Sequence, residues 1–259
     1  MDFLKSSKRR SLVSEFVYNV LNIALAVVIL LVVLAIESPL PAFAVLLLSK
    51  WRIFAVRPRY WFTNIQANLV DVIVGLSFIV LLYAASGVLP VQIVLTTLYV
   101  GWLLFVKPRS KRVFVAAQAG VATFLGVTAL MTISYSWYAS VVVIVMWLIG
   151  YSTARHILSS YDEAHRSFFS LVWGLIFAEL GWLAYHWTFA YTIPGLGGIK
   201  LSQAALIALA LSFLAERVYA SYHRHEGVRS ADVILPTLLT VSIILVMMLF
   251  FNTLDQGTV

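Results

Sequence analysis

The chain contains no cysteine. Disulfides, thiolate nucleophiles, cysteine-bound zinc and iron–sulfur clusters are thereby excluded. Charge is also scarce. Only 11% of residues are charged, against about 25% in an ordinary soluble domain. Catalytic signatures are missing as well. No Gly-x4-Gly-Lys-Ser/Thr loop is present to cradle phosphate, no Gly-x-Ser-x-Gly elbow to present a nucleophile, and no His-Glu-x-x-His pair to hold zinc. Asp162-Glu163-Ala164-His165 spells a helicase box, but without a phosphate loop it carries no such chemistry. Nothing here implies a cofactor or a metal. Low charge with long apolar runs excludes a soluble globular protein, a disordered chain and a collagen-like one.

What the chain does contain is hydrocarbon. Its 259 residues are 62% hydrophobic, with a mean hydropathy of +0.95. A membrane-crossing helix needs about 20 mostly apolar residues. Such runs are expected near 17–36, 39–56, 65–86, 88–106, 112–132, 134–153, 168–189, 200–220 and 232–252. All are read as helices, because lipid-facing backbone must satisfy its own hydrogen bonds. The expected fold is an all-α polytopic transmembrane bundle of about nine spans. It forms one integral membrane domain over 1–259, with a basic cytoplasmic segment (1–16), the bundle (17–252) and a short outer tail (253–259). Lys5, Lys8, Arg9 and Arg10 could begin a signal peptide, but the apolar run from Val20 to Ile36 exceeds a normal signal core, so a retained first span is expected.

The net charge of +7 would suggest nucleic acid in a soluble protein. Here it reads as topology, with no nucleic-acid partner. With nine spans and the N-terminus inside, 17 of the 18 basic residues fall on the inner side and only Lys200 outside. The C-terminus is then outside. If span 2 fails to cross, the best partition is 13 against 5. The positive-inside rule favours nine spans in the cytoplasmic membrane. Span 2 is short, however. A re-entrant hairpin of spans 1 and 2 keeps the same partition, and nine full crossings require Lys50 and Arg52 to snorkel to the inner headgroups.

Two local patterns concern packing. Trp51–Arg59 resembles Trp102–Arg109. That likeness fits either an internal repeat or two independent aromatic–basic anchors. Ala116, Ala119, Gly120, Thr123 and Gly126 form a small-residue stripe on span 5, which is expected to be a central helix in close contact with its neighbours.

Ionisable groups at membrane depth are the functional candidates, because placing charge there is costly. Asn64, Asn68, Asp71 and Gly75 share one helical face running inward from Arg57, Arg59, Tyr60 and Trp61. The basic–aromatic mouth suits an anionic lipid headgroup. Asp71 and the amides could then orient a ligand or bind a cation, or Asp71 could join an interhelical network with an arginine of the next loop. On span 7, Glu179, Trp182 and His186 share a face, while Gly174, Ala178 and Gly181 lie on another. One face is expected to pack on a neighbour and the other to line a cavity, with Glu179 and His186 relaying a proton, binding a cation or forming a neutral internal hydrogen bond. The charged edges around Arg155–Arg166 and His223–Asp232 read as solvated loops, with an interfacial helix carrying Ile157, Leu158, Tyr161 and Phe168.

These features support three readings. The leading one is a small carrier or lipid/solute-binding membrane protein. The second is a non-catalytic scaffold or partner subunit meeting another membrane protein or a second copy. The third is an enzyme acting on a lipid-linked substrate at the inner face. All three share the lipid bilayer as partner.

Overall fold

A helix of 20 residues rises about 30 Å, the thickness of a bilayer's hydrocarbon core. In the computed structural model, which describes residues 12–36, 38–187, 190–192 and 195–250, eight helices are long and apolar enough to cross. This is a multi-pass, all-α membrane protein. The helices are α1 (Leu12–Ala35), α3 (Trp61–Ala84), α4 (Leu89–Gly101, continued by a π-turn over Trp102–Val106), α5 (Arg112–Ile133), α6 (Ala139–Ser159), α7 (Arg166–Trp187), α8 (Gln203–His225) and α9 (Ser230–Phe250). The ninth, α2 (Leu40–Ser49), is only half as long as a span. The basic cluster Lys5–Arg10 and the tail 253–259 lie outside the described residues.

More than half of α3 and α5 is buried, whereas almost none of α9 is. α5 therefore sits centrally, touching α3, α6 and α8. The core gathers Phe177, Ile29, Leu46, Ile79, Leu82 and Leu103, all fully buried. With no water to exclude inside a bilayer, helices associate by close packing, and glycines permit it. A Cβ at Gly150 would lie 2.5 Å from Phe177, and one at Gly181 2.6 Å from Met146. α6 and α7 are consequently the closest-packed pair. The α5 stripe behaves differently along its length. Gly126 is pressed against Ile73 and Ile149, but a Cβ at Gly120 would meet only Leu209, at 3.4 Å.

The segment expected as span 2 breaks. α2 ends at Ser49, a 3-10 turn covers Trp51–Ile53, and the chain then reaches a second one at Pro58–Tyr60. Its contacts nevertheless run antiparallel to α3. Leu46 lies against Gly75, Lys50 against Asp71, the Ile53 carbonyl against Asn64, and the Phe54 and Val56 carbonyls against Trp61. The resemblance of this stretch to the end of α4 does not extend to conformation, since Trp51–Ile53 is 3-10 and Trp102–Val106 is π.

Two further expectations are corrected. There is no interfacial helix at the α6–α7 connection. Ile157 and Leu158 complete α6, Phe168 opens α7, and a tight turn joins them through Asp162, which has a left-handed φ of 55°. Between α7 and α8, a two-stranded antiparallel ladder pairs β1 (Ala190–Thr192) with β2 (Lys200–Ser202). Gly197 and Gly198 of the connecting turn lie on the end of α3, where the Gly198 N–H donates to the Ala84 carbonyl at 2.7 Å.

Candidate functional site

Asp71 is the centre of an ion cluster. Lys50, at the end of α2, donates to its Oδ2, and Lys107, just beyond the π-turn of α4, reaches the same oxygen at 3.0 Å. Lys50 is 9% exposed, Asp71 13% and Lys107 28%. Lys50 therefore does not snorkel to the headgroups. Its ammonium turns inward, because a carboxylate one helix away offers a closer counter-charge than the interface. The cluster ties three segments at one level and carries one excess positive charge. Removing one member of such a group strands a buried charge, which is strongly destabilising.

The rest of the Asp71 stripe is similarly occupied. Asn64 donates to the Ile53 carbonyl at 2.7 Å and Asn68 to the Asn64 carbonyl at 2.8 Å. Gly75 is covered by Leu46. The face expected to lead a ligand inward is the face on which α2 and its 3-10 extension rest. Arg57, Arg59, Tyr60 and Trp61 are exposed. Trp61 donates to the Val56 carbonyl at 2.9 Å, and the Arg59 guanidinium lies 4.6 Å from the Tyr60 ring centroid. Trp61 begins α3 and Asp71 lies about 15 Å further along it, so the mouth and the carboxylate occupy different levels.

On α7, Gly174 and Gly181 pack against Trp147 and Met146 of α6. This turns the opposite face outward. Glu179, Trp182 and His186 are exposed on the flank of the bundle. The Trp182 and His186 rings are 4.6 Å apart. The three belong to an outward stripe of Phe168, Val172, Leu175, Glu179, Trp182 and His186, spaced alternately four and three. The spacing identified two faces correctly, but only the position of α6 decided which was inside.

A groove with a polar end had no direct signal in the sequence. Where α5 is lined by Ala116 and Gly120, a groove of about 460 Å³ opens, bordered by α6, α7 and α8. α7 and α8 scarcely touch, so they form its two walls. Phe169, Val172 and Trp173 line one, and Leu209, Ser212 and Phe213 the other. The volume falls within the roughly 300–1,000 Å³ of small-molecule sites. Two buried hydroxyls among the lining residues, Thr123 Oγ1 and Ser212 Oγ, have no hydrogen-bond partner among the described residues. A further apolar hollow of about 800 Å³, bordered by α3, α4 and α5, has no charged residue in its lining.

The groove has a polar end. Glu216, Arg217 and Tyr219 line it. The Tyr161 hydroxyl donates to Glu216 Oε1 at 3.1 Å, and Arg217 Nε pairs with Glu216 Oε2 at 3.3 Å. Tyr219 donates to Glu163 Oε2, while Glu163 Oε1 accepts the His165 backbone N–H at 3.0 Å. These contacts clasp the 160–165 turn onto α8. Burial, with Glu216 beside it, pushes the Tyr161 phenol up to about 12, so it remains a donor. The Tyr219 hydrogen bond holds Glu163 below the usual glutamate range.

A second polar centre also escaped the sequence reading. Gln118, buried on α5, donates to the Val106 carbonyl at 2.7 Å and the Arg109 carbonyl at 2.9 Å, and its Oε1 meets His156 Nε2 at 2.7 Å. It thereby ties the carbonyls at the end of α4 to α5, adding to the Arg109 N–H that the Val106 carbonyl also accepts at 3.2 Å. A single glutamine in an apolar helix has no spacing pattern that could mark it. Among the described residues, no three histidine or acidic side chains are grouped to hold a metal. No family model, curated protein or solved structure matches the chain.

Proposed function

We propose that this protein is a lipid- or solute-binding membrane protein, a small carrier of the cytoplasmic membrane, and that its ligand is an amphiphile occupying the groove between α7 and α8. The observation that carries this reading is a hollow with an apolar body, two unpartnered buried hydroxyls and a charged end. An amphiphile has the same division. The threading that goes with it has the N-terminus inside and the C-terminus outside, with residues 40–56 crossing as a broken ninth span in one membrane domain. The distribution of basic residues and the antiparallel run beside α3 support that threading. Arg57, Arg59, Tyr60 and Trp61 then lie at the inner surface as anchors for anionic headgroups. Asn64, Asn68 and Asp71 act there by holding the broken span in place rather than by meeting the ligand.

Native mass spectrometry in mild detergent tests the reading. A bound lipid should remain on the wild type and be absent from Ala116→Phe, which fills the groove floor. Equal retention by both would sink it.

One observation favours the second reading, a scaffold or partner subunit. Glu179, Trp182 and His186 face outward along a helix of membrane length, where a carboxylate gains from a donor on another helix. This stripe is proposed to meet a membrane-protein partner or a second copy. Cross-linking from a cysteine introduced at Leu175 checks it, and a purely monomeric product would remove it.

A further inference from the structure

The polar end of the groove has unequal spare capacity. Both oxygens of Glu216 are engaged, by Tyr161 and Arg217, and both oxygens of Glu163 by Tyr219 and the His165 backbone. The arginines are not used up. A guanidinium carries five N–H donors. Arg217 uses its Nε and lies 5.2 Å from the Phe213 ring centroid, and its terminal nitrogens have no hydrogen-bond partner among the described residues. It is also 50% exposed. Arg112 spends its Nε on the Ser160 carbonyl at 3.2 Å and lays its plane 4.5 Å from the Tyr161 ring centroid. Arg112, Tyr161, Glu216 and Arg217 thus form one connected chain of contacts, with acceptors filled and donors left over. Arg217 lies about 21 Å along α8 from Gln203, at the end of the groove away from the strand ladder.

Resting on the groove as binding site, we infer that its ligand is an anionic amphiphile. The phosphate or carboxylate head is held by the terminal nitrogens of Arg217, with Arg112 adding positive charge through the Tyr161–Glu216 link. One hydrocarbon tail lies on the Ala116–Gly120 floor. Glu216 is a positioning residue, fixing the guanidinium edge toward the groove. The buried hydroxyls of Thr123 and Ser212 lie along the tail's path and suit a tail bearing an oxygen or a double bond.

The test is a native mass-spectrometric titration of the full chain with three probes. These are a single-tailed glycerol phosphate, the neutral monoacylglycerol with the same tail, and tail-less glycerol phosphate. The wild type should prefer the anionic lipid to the neutral one by about ten-fold or more, as charge-assisted hydrogen bonds require, and should ignore the tail-less probe. Arg217→Gln should bind both lipids equally, and Arg217→Lys should restore part of the preference. Ala116→Phe on the floor and Val172→Trp on the α7 wall should each lose both lipids. The second variant guards against misfolding of the first, with thermal melts reporting the fold of each.

Equal binding of both lipids by the wild type overturns the anionic assignment and leaves the groove as a site. Unchanged binding in both filled variants overturns the groove itself. Binding of tail-less glycerol phosphate as strong as that of the lipid overturns the amphiphile in favour of a free anion.

Discussion

Two regions of the bundle use their polar groups differently. Around α2, α3 and the end of α4, most polar side chains are tied into the protein, although Asp71 Oδ1, the Tyr99 hydroxyl and Trp102 Nε1 have no hydrogen-bond partner among the described residues. Asp71 takes two lysines, Asn64 and Asn68 take backbone carbonyls, and Gln118 closes the end of α4. Around α5–α8, a hollow keeps hydroxyls unpartnered and guanidinium donors in reserve. In the first region a polar residue repairs a defect, namely a broken span and an interrupted helix. In the second, carboxylates and phenols clasp the 160–165 turn onto α8, and what is left over is guanidinium donors and two groove hydroxyls. An intramembrane charge is therefore evidence of function only after the backbone around it has been accounted for.

The sharpest way to break this contrast is Asp71→Asn. It strands two ammonium groups and should destabilise the protein by about 3–5 kcal/mol, read as a lowered melting temperature in detergent. The Lys50→Met/Asp71→Leu pair should lose less than Asp71→Asn alone. A near-neutral Asp71→Asn would mean that the cluster is not a structural lock. Next in size is a comparison of glycines. Gly150→Val, driven into Phe177, should cost about 1–3 kcal/mol by overpacking, whereas Gly120→Ala, beside the groove, should melt within a degree or two of wild type. Similar losses at the two positions would erase the distinction between packed and open faces.

Gln118→Leu should cost about 1–3 kcal/mol by removing the hydrogen bonds that join α5 to the end of α4 and to His156. It should do so without altering lipid retention, which native mass spectrometry can check alongside the melt. The smallest effect belongs to Glu163. Its folded-state pKa is depressed by Tyr219. Its contribution is therefore present above the ordinary glutamate range and fades as pH falls through and below that range. A melting series from about pH 6 to about pH 3 should show wild type losing slightly more stability than Glu163→Gln. Parallel curves would show that the clasp of the 160–165 turn adds nothing.

Much of the architecture was legible in apolar run length alone, because hydrocarbon thickness imposes a minimum that eight helices meet. Span 2 was the ambiguous case in the sequence, and it is where the helix breaks. Its charged end made it look too short, and Lys50 does leave the helix there. The partner of Asp71 was legible only as a category. An arginine of the next loop was one expectation, whereas the partners are two lysines, 21 positions before and 36 after it, to which nothing in the spacing points. The Arg57–Trp61 mouth was visible because basic and aromatic residues cluster in sequence. Arg112, Tyr161, Glu216 and Arg217 were not, since they come from three separate stretches.

That the protein is a multi-pass helical bundle, which segments are apolar, and which residues share a helical face all follow from the order of residues. Those properties follow from local composition and a period of 3.6. Only the tertiary structure decided which face of α7 points outward, where Lys50 turns, and where the small residues of α5 leave a hollow instead of a contact. A helix face has no inside or outside until a neighbour covers it, and an alanine stripe becomes packing or cavity according to how closely the next backbone approaches.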